Sequence, residues 1–125
     1  MNTAATAENQ SQQSYDVVII GAGSGGIAAA SSLLKRKGDL RIALVDPAEE
    51  HYYQPGWTMV GGGVFSNTQT KRSMSDLIPN KVSWIKQAAT GFSPEQNTVQ
   101  LDNQESLHYS HLIVAPGLVL NWDGI

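Results

Sequence analysis

The first fourteen residues, Met1 to Ser14, are polar and rich in Gln, Asn, Ala, Ser and Thr, with no basic residue. That composition predicts a disordered leader, with a single domain over residues 15–125. The apolar pattern starts at Val17 to Ile20, a four-residue run that stops abruptly at Gly21 and predicts a strand. A helix is expected from Ser24 to Lys37, with Leu33 and Leu34 on its apolar side. Lys35, Arg36 and Lys37 fall in its last turn, where cations suit the helix dipole, and Gly38 is a candidate C-cap. Leu40 to Val45 reads as a second, short strand ending at Asp46. Glu49 to Gly63 has aromatic residues scattered among glycines without periodicity, which predicts a loop with a short helix near Trp57 to Val60.

Farther on, Ser66 to Ser75 is polar and loop-like, and Ser75 to Ile78 reads as one helical turn halted by Pro79. Lys81 to Ile85 reads as a strand. Three short strand-like pieces follow, near Gln87 to Phe92, Thr98 to Asp102 and Ser106 to Tyr109. Turn signals at Ser93-Pro94 and Asp102-Asn103 separate them, so they predict an antiparallel meander. Leu112 to Ala115 reads as one more buried strand, ending at Pro116-Gly117. The fold class is therefore α/β: a parallel sheet with one long helix, plus a three-stranded meander.

The strand, turn and helix at the start carry the clearest chemistry. Gly21, Gly23 and Gly26 stand in the spacing G-x-G-x-x-G, with Ala22, Ser24 and Gly25 between them. Gly21 permits a tight turn out of the strand. Gly23, lacking a Cβ, lets a pyrophosphate approach the backbone, and Gly26 lets the helix pack close to the strand. The helix N-terminus then offers free N–H groups to phosphates. Asp46 lies at the tip of the second strand, where a carboxylate can accept hydrogen bonds from an adenosine ribose and would repel a 2′-phosphate. NADP is disfavoured on that ground. Asp46 also fits a turn cap before Pro47. The aromatic loop fits equally a wall against a flat ligand or a small aromatic core under a loop.

Composition narrows the classes. The chain has 125 residues, of which 15% are charged, and a net charge of −3. Without a basic stripe it is a poor nucleic-acid binder. It contains no cysteine, which removes disulfides and thiol chemistry. His108 and His111, three apart on extended chain, point to opposite faces, and His51 stands alone, so no metal site is expected. No Ser-His-Asp arrangement with a nucleophile turn is seen, and glycines and serines break up the apolar stretch Val17 to Leu34, so no transmembrane segment is expected. Neither a signal peptide nor a transit peptide is recognisable, which points to the cytoplasm.

Taken together, the glycine turn, the acidic strand tip, the meander and Ala115-Pro116-Gly117 resemble the FAD domain of two-dinucleotide-binding-domain flavoproteins. Pro116 stands where that family often has threonine. The disulfide reductases of the family carry a redox cysteine pair after the second strand; this chain has His51-Tyr52-Tyr53-Gln54-Pro55-Gly56-Trp57 there. That loop, with Trp84-Ile85 and Tyr109 to Leu118, is similar to the sulfide:quinone oxidoreductases. The resemblance implies FAD as cofactor, with the pyrophosphate held by Gly21 to Gly26 and the adenosine ribose by Asp46. It implies that the backbone of Ala89 pairs with adenine, that Gln54 and Pro55 border the flavin ring, and that Ala115 and Gly117 pass close on the far side. It also implies a longer parent that oxidises sulfide and passes electrons through FAD to quinone. Reactive cysteines, a second domain, a last strand of the sheet and a membrane-associating segment belong to parts not present here. The chain is thus expected to be an FAD-binding segment, incomplete at its C-terminal end, with no catalytic residue of its own and with peripheral inner-membrane association through other parts. A type II NADH dehydrogenase, the flavin subunit of a sulfide dehydrogenase using a cytochrome, a plain NAD-binding module and an inactive fragment remain as alternatives.

Overall fold

β1 (Gln12–Ile20) is the strand about which the others are ordered. A computed structural model of the protein describes residues 12–125. The leader expected at 1–14 lies outside the described residues up to position 11; from Gln12 the chain is already in β1. On one side β1 pairs in parallel with β2 (Ile42–Val45), and β2 pairs in parallel with β5 (Ser83–Ile85). On its other side β1 pairs in parallel with β8 (Ser106–Val114). β8 then continues antiparallel to β7 (Thr98–Leu101), and β7 to β6 (Ala89–Ser93). The six strands form one sheet, in the order β5-β2-β1-β8-β7-β6.

Alternation along β1 explains the unbroken apolar run. Val18 and Ile20 face a core shared with Val99, Leu101, Leu107 and Tyr109. Val17 and Ile19 face the other way, towards Ala30 of α1 (Ser24–Arg36), Met74, Ile78 and Val82. A strand buried on both faces needs apolar residues at every position, which is the habit of parallel sheets. β2 is buried throughout for the same reason.

Three expectations are corrected. Ser106 to Tyr109 and Leu112 to Ala115 are not two strands. They are one, because Ser110-His111 lies opposite β1, whose ladder runs from Tyr15↔Tyr109 straight to Val17↔His111. The meander and the parallel sheet therefore share β8. Gly38 is not the helix C-cap: Lys37 takes that place, its amide donating to the Leu33 carbonyl. Within the polar stretch 66–75, a 3-10 turn (Asn67–Thr70) with a Ser66/Gln69 capping box leads into β4 (Lys71–Ser73). β4 pairs antiparallel with β3 (Glu50–Tyr52), and two short helices, α2 (Trp57–Gly61) and α3 (Met74–Leu77), flank this small ladder. Three-residue strands in a polar setting carry no period that sequence could show.

Candidate functional site

The turn after β1 is built by close backbone contact. Gly21 has φ of +100°, its amide donates to the Val45 carbonyl, and a Cβ there would overlap the Ala115 carbonyl. A Cβ at Gly26 would overlap the Gly21 carbonyl, so the start of α1 lies against the turn itself. Over Gly23 the surroundings are different: an added Cβ would meet nothing within 4 Å. The amides of Gly23, Ser24, Gly25 and Gly26 have no acceptor among the described residues; the first amide of the helix to be used is that of Ile27, which donates to the Gly23 carbonyl at 3.0 Å. Unpaired donors at a helix start make a positive, hydrogen-bonding rim suited to an anion.

Opposite that rim stands Asp46. Its Oδ2 accepts the Ala22 amide at 2.8 Å and its Oδ1 accepts the Ala48 amide at 2.8 Å. The turn-cap role before Pro47 is thus real, and the carboxylate is tied to the glycine turn as well. Since an ionised carboxylate offers about four acceptor sites, capacity for a ligand hydroxyl remains.

Both features border a cleft of about 650 Å³. Of the residues singled out in the sequence, Ala22, Gly23, Ser24, Gly25, Asp46, Gln54, Pro55, Ala115 and Gly117 line it together. Gly21 and Ala89 do not; they line a neighbouring pocket of about 230 Å³, which shares Asp46 and Pro116 with the larger one. Gly26 lies beneath the turn. Pro116, singled out only as a departure from a family pattern, borders both spaces.

The aromatic loop is a wall rather than a closed core. Tyr52 and Trp57 meet edge to face, with centroids 6.2 Å apart, and both line the cleft while Trp57 keeps 46% of its surface exposed. His51 lines the cleft too; His108 and His111 stand on β8, away from it. Among the described residues no group of three or more His, Asp or Glu side chains could hold a metal ion.

Sequence reasoning missed Glu50, Met74 and Leu118 as cleft residues. Glu50 is held by Lys71 at 2.6 Å. The bond to Lys71, with a second from the Tyr52 hydroxyl, keeps the Glu50 carboxyl below the usual carboxylate range, and the same bond to Glu50 raises Lys71. Met74 is a core residue, 2% exposed, whose surface also reaches the cleft. The pairing of β3 with β4 brings Glu50 and Met74 together, and that pairing had no sequence signal; Leu118 comes from the segment after β8.

Residues 15–122 match the model of the pyridine nucleotide-disulphide oxidoreductase family. Over 112 residues the chain is 44% identical to the mitochondrial sulfide:quinone oxidoreductase of Dictyostelium discoideum, covering 87% of this chain and 24% of that protein. With the mouse mitochondrial sulfide:quinone oxidoreductase it shares 36% identity over 120 residues, 96% of this chain and 26% of the relative. The crystal structure of the sulfide:quinone oxidoreductase of Aquifex aeolicus superposes with a TM-score of 0.76 at 27% identity, over 88% of this chain and 25% of that one. The chain thus spans about a quarter of the length of the relatives it matches.

Proposed function

The chain belongs to the pyridine nucleotide-disulphide oxidoreductase family, and on that footing we propose that it is the FAD-binding segment of a sulfide:quinone oxidoreductase. Members of the family bind FAD. One observation carries the cofactor assignment: Gly23, Ser24 and Gly25, whose amides are unpaired, and the carboxylate of Asp46 border one cleft, with open space over Gly23. Donors for a pyrophosphate and an acceptor for a sugar hydroxyl, side by side, fit a dinucleotide. In this reading the turn from Gly21 to Gly26, with Ala22 and Ser24 in it, holds the pyrophosphate through its unpaired amides from Gly23 onward. Asp46 takes the adenosine ribose, and the pocket at Ala89 takes the adenine. Gln54 and Pro55, beside Trp57, border the ring system, with Ala115 and Gly117 on the other side.

FAD, when bound, supplies two-electron redox chemistry. The part of this chain is to bind it, orient it and keep the wall at Tyr52 and Trp57 against it. Sulfide and quinone are the proposed partners of the whole enzyme, and with no cysteine in the sequence no sulfur-transferring step is assigned to these residues. Among the described residues no helix is long and apolar enough to cross a membrane. The proposed location is cytoplasmic and peripheral, at the inner membrane that carries the quinone, by contacts outside this chain.

The test is a flavin fluorescence titration of the purified chain, with NAD as comparison. Saturable binding of FAD in preference to NAD is the expected outcome. Preference for NAD would return the site to a plain NAD-binding module, and binding of neither would overturn the assignment.

A further inference from the structure

Trp84 touches neither pocket, yet its indole Nε1–H donates to the main-chain carbonyl of Asp46 at 2.9 Å. We propose that Trp84 is a positioning residue for the sugar-binding carboxylate of Asp46, and through it for nucleotide discrimination; this rests on the cofactor reading above. At Asp46 the ladder between β2 and β5 runs out. The last paired residues are Val45↔Ile85, and the Asp46 amide still reaches the Ile85 carbonyl at 3.1 Å. On the β5 side the Gln87 amide turns back to the Ile85 carbonyl at 2.8 Å. The indole N–H supplies the Asp46 carbonyl with a donor from a side chain where that backbone amide is spent elsewhere.

The consequence is a fixed peptide plane. Asp46 is held at its amide by Ile85, at its carbonyl by Trp84, and at its two carboxylate oxygens by Ala22 and Ala48. Residues before proline are confined to extended conformations, which further limits its motion. Trp84 is itself anchored. Its ring packs against the Leu44, Ile78 and Val82 cluster, and Lys86 lies 5.4 Å from the ring centroid while pairing with Glu49. A rigid indole thus transmits the position of the core to the carboxylate.

The test compares ADP with 2′,3′-dideoxy-ADP in competition against FAD, for the unaltered chain and for Trp84→Phe. Phenylalanine keeps an aromatic ring in the core and removes only the donor. The unaltered chain should prefer ADP, and Trp84→Phe should narrow that preference about fivefold, the scale of one hydrogen bond. An unchanged preference in Trp84→Phe overturns the proposal, and so does equal weakening of both nucleotides, which marks a merely structural role. An unaltered chain that binds FAD but shows no preference overturns both the ribose role of Asp46 and the proposal. An unaltered chain that binds no FAD overturns the cofactor reading, and the proposal falls with it. Should Trp84→Phe not fold, the unaltered protein still decides. ADP should slow exchange of the Trp84 indole proton more than dideoxy-ADP does, and equal slowing overturns the proposal.

Discussion

Two glycines three positions apart do opposite things, and single methyl groups separate them. A Cβ at Gly26 would overlap the Gly21 carbonyl, whereas one at Gly23 would enter open space. Gly26→Ala should therefore destabilise the fold by about 1–3 kcal/mol, the usual cost of overpacking, read by urea unfolding of the ligand-free chain. Gly23→Ala should change that stability by no more than about 1 kcal/mol, since its φ of −72° suits alanine. It should instead weaken FAD binding about tenfold, equivalent to about 1.4 kcal/mol, because the methyl occupies the cleft. If the two variants exchanged their effects, the phosphate role of this turn would be wrong. The sequence declared these glycines by their spacing alone, since the geometry of a strand-turn-helix leaves little freedom. Asp46 was legible as a strand tip, but not its bonds to Ala22 and Ala48, nor the reach of Trp84 to its carbonyl. Those depend on strands that meet only in the folded chain.

Among the elements, the β3–β4 ladder is the least predictable and the least covered. Its three-residue strands are exposed or half-buried, and Glu50 and Lys71 bridge them at 2.6 Å. With the Glu50 carboxyl lowered, the bond is complete above the ordinary carboxylate range and is lost as pH falls through Glu50's own lowered value. With Lys71 raised, it is complete at neutral pH and is lost only as pH climbs above the usual lysine range. Glu50→Gln should reduce amide-exchange protection of β3 and β4 at neutral pH and make no difference in strong acid. Added salt should shrink the effect, as both side chains face solvent. Equal protection in both proteins at neutral pH would remove the bridge from any role in holding this wall of the cleft. β1, β2 and α1 were legible because each has an apolar pattern that burial demands; β8 reads as two pieces because polar Ser110-His111 interrupts its apolar pattern. Pairing with β1 across that point overrode the local signal.

At the scale of the molecule, the sheet sets the glycine turn at its centre and leaves apolar residues beyond β8 in solvent. Leu118 and Val119 are 92% and 98% exposed. The chain spans about a quarter of its relatives and has no cysteine. We expect it to take up FAD without catalysing sulfide-dependent reduction of a soluble quinone. Turnover by this chain, followed as loss of quinone absorbance, would refute that division of labour. The central place of β8 has a consequence for how the site comes into being. β1 lies between β2 and β8, and the Ala115 amide closes the turn by donating to the Ile20 carbonyl at 2.7 Å. During synthesis the glycine turn at 21–26 precedes its neighbour, which begins only at Ser106. Until then β1 carries an open edge of the kind that pairs with the wrong partner. The glycine turn is thus synthesised well before it is completed, and nascent chains stalled before Ser106 would hold the motif without its finished surroundings.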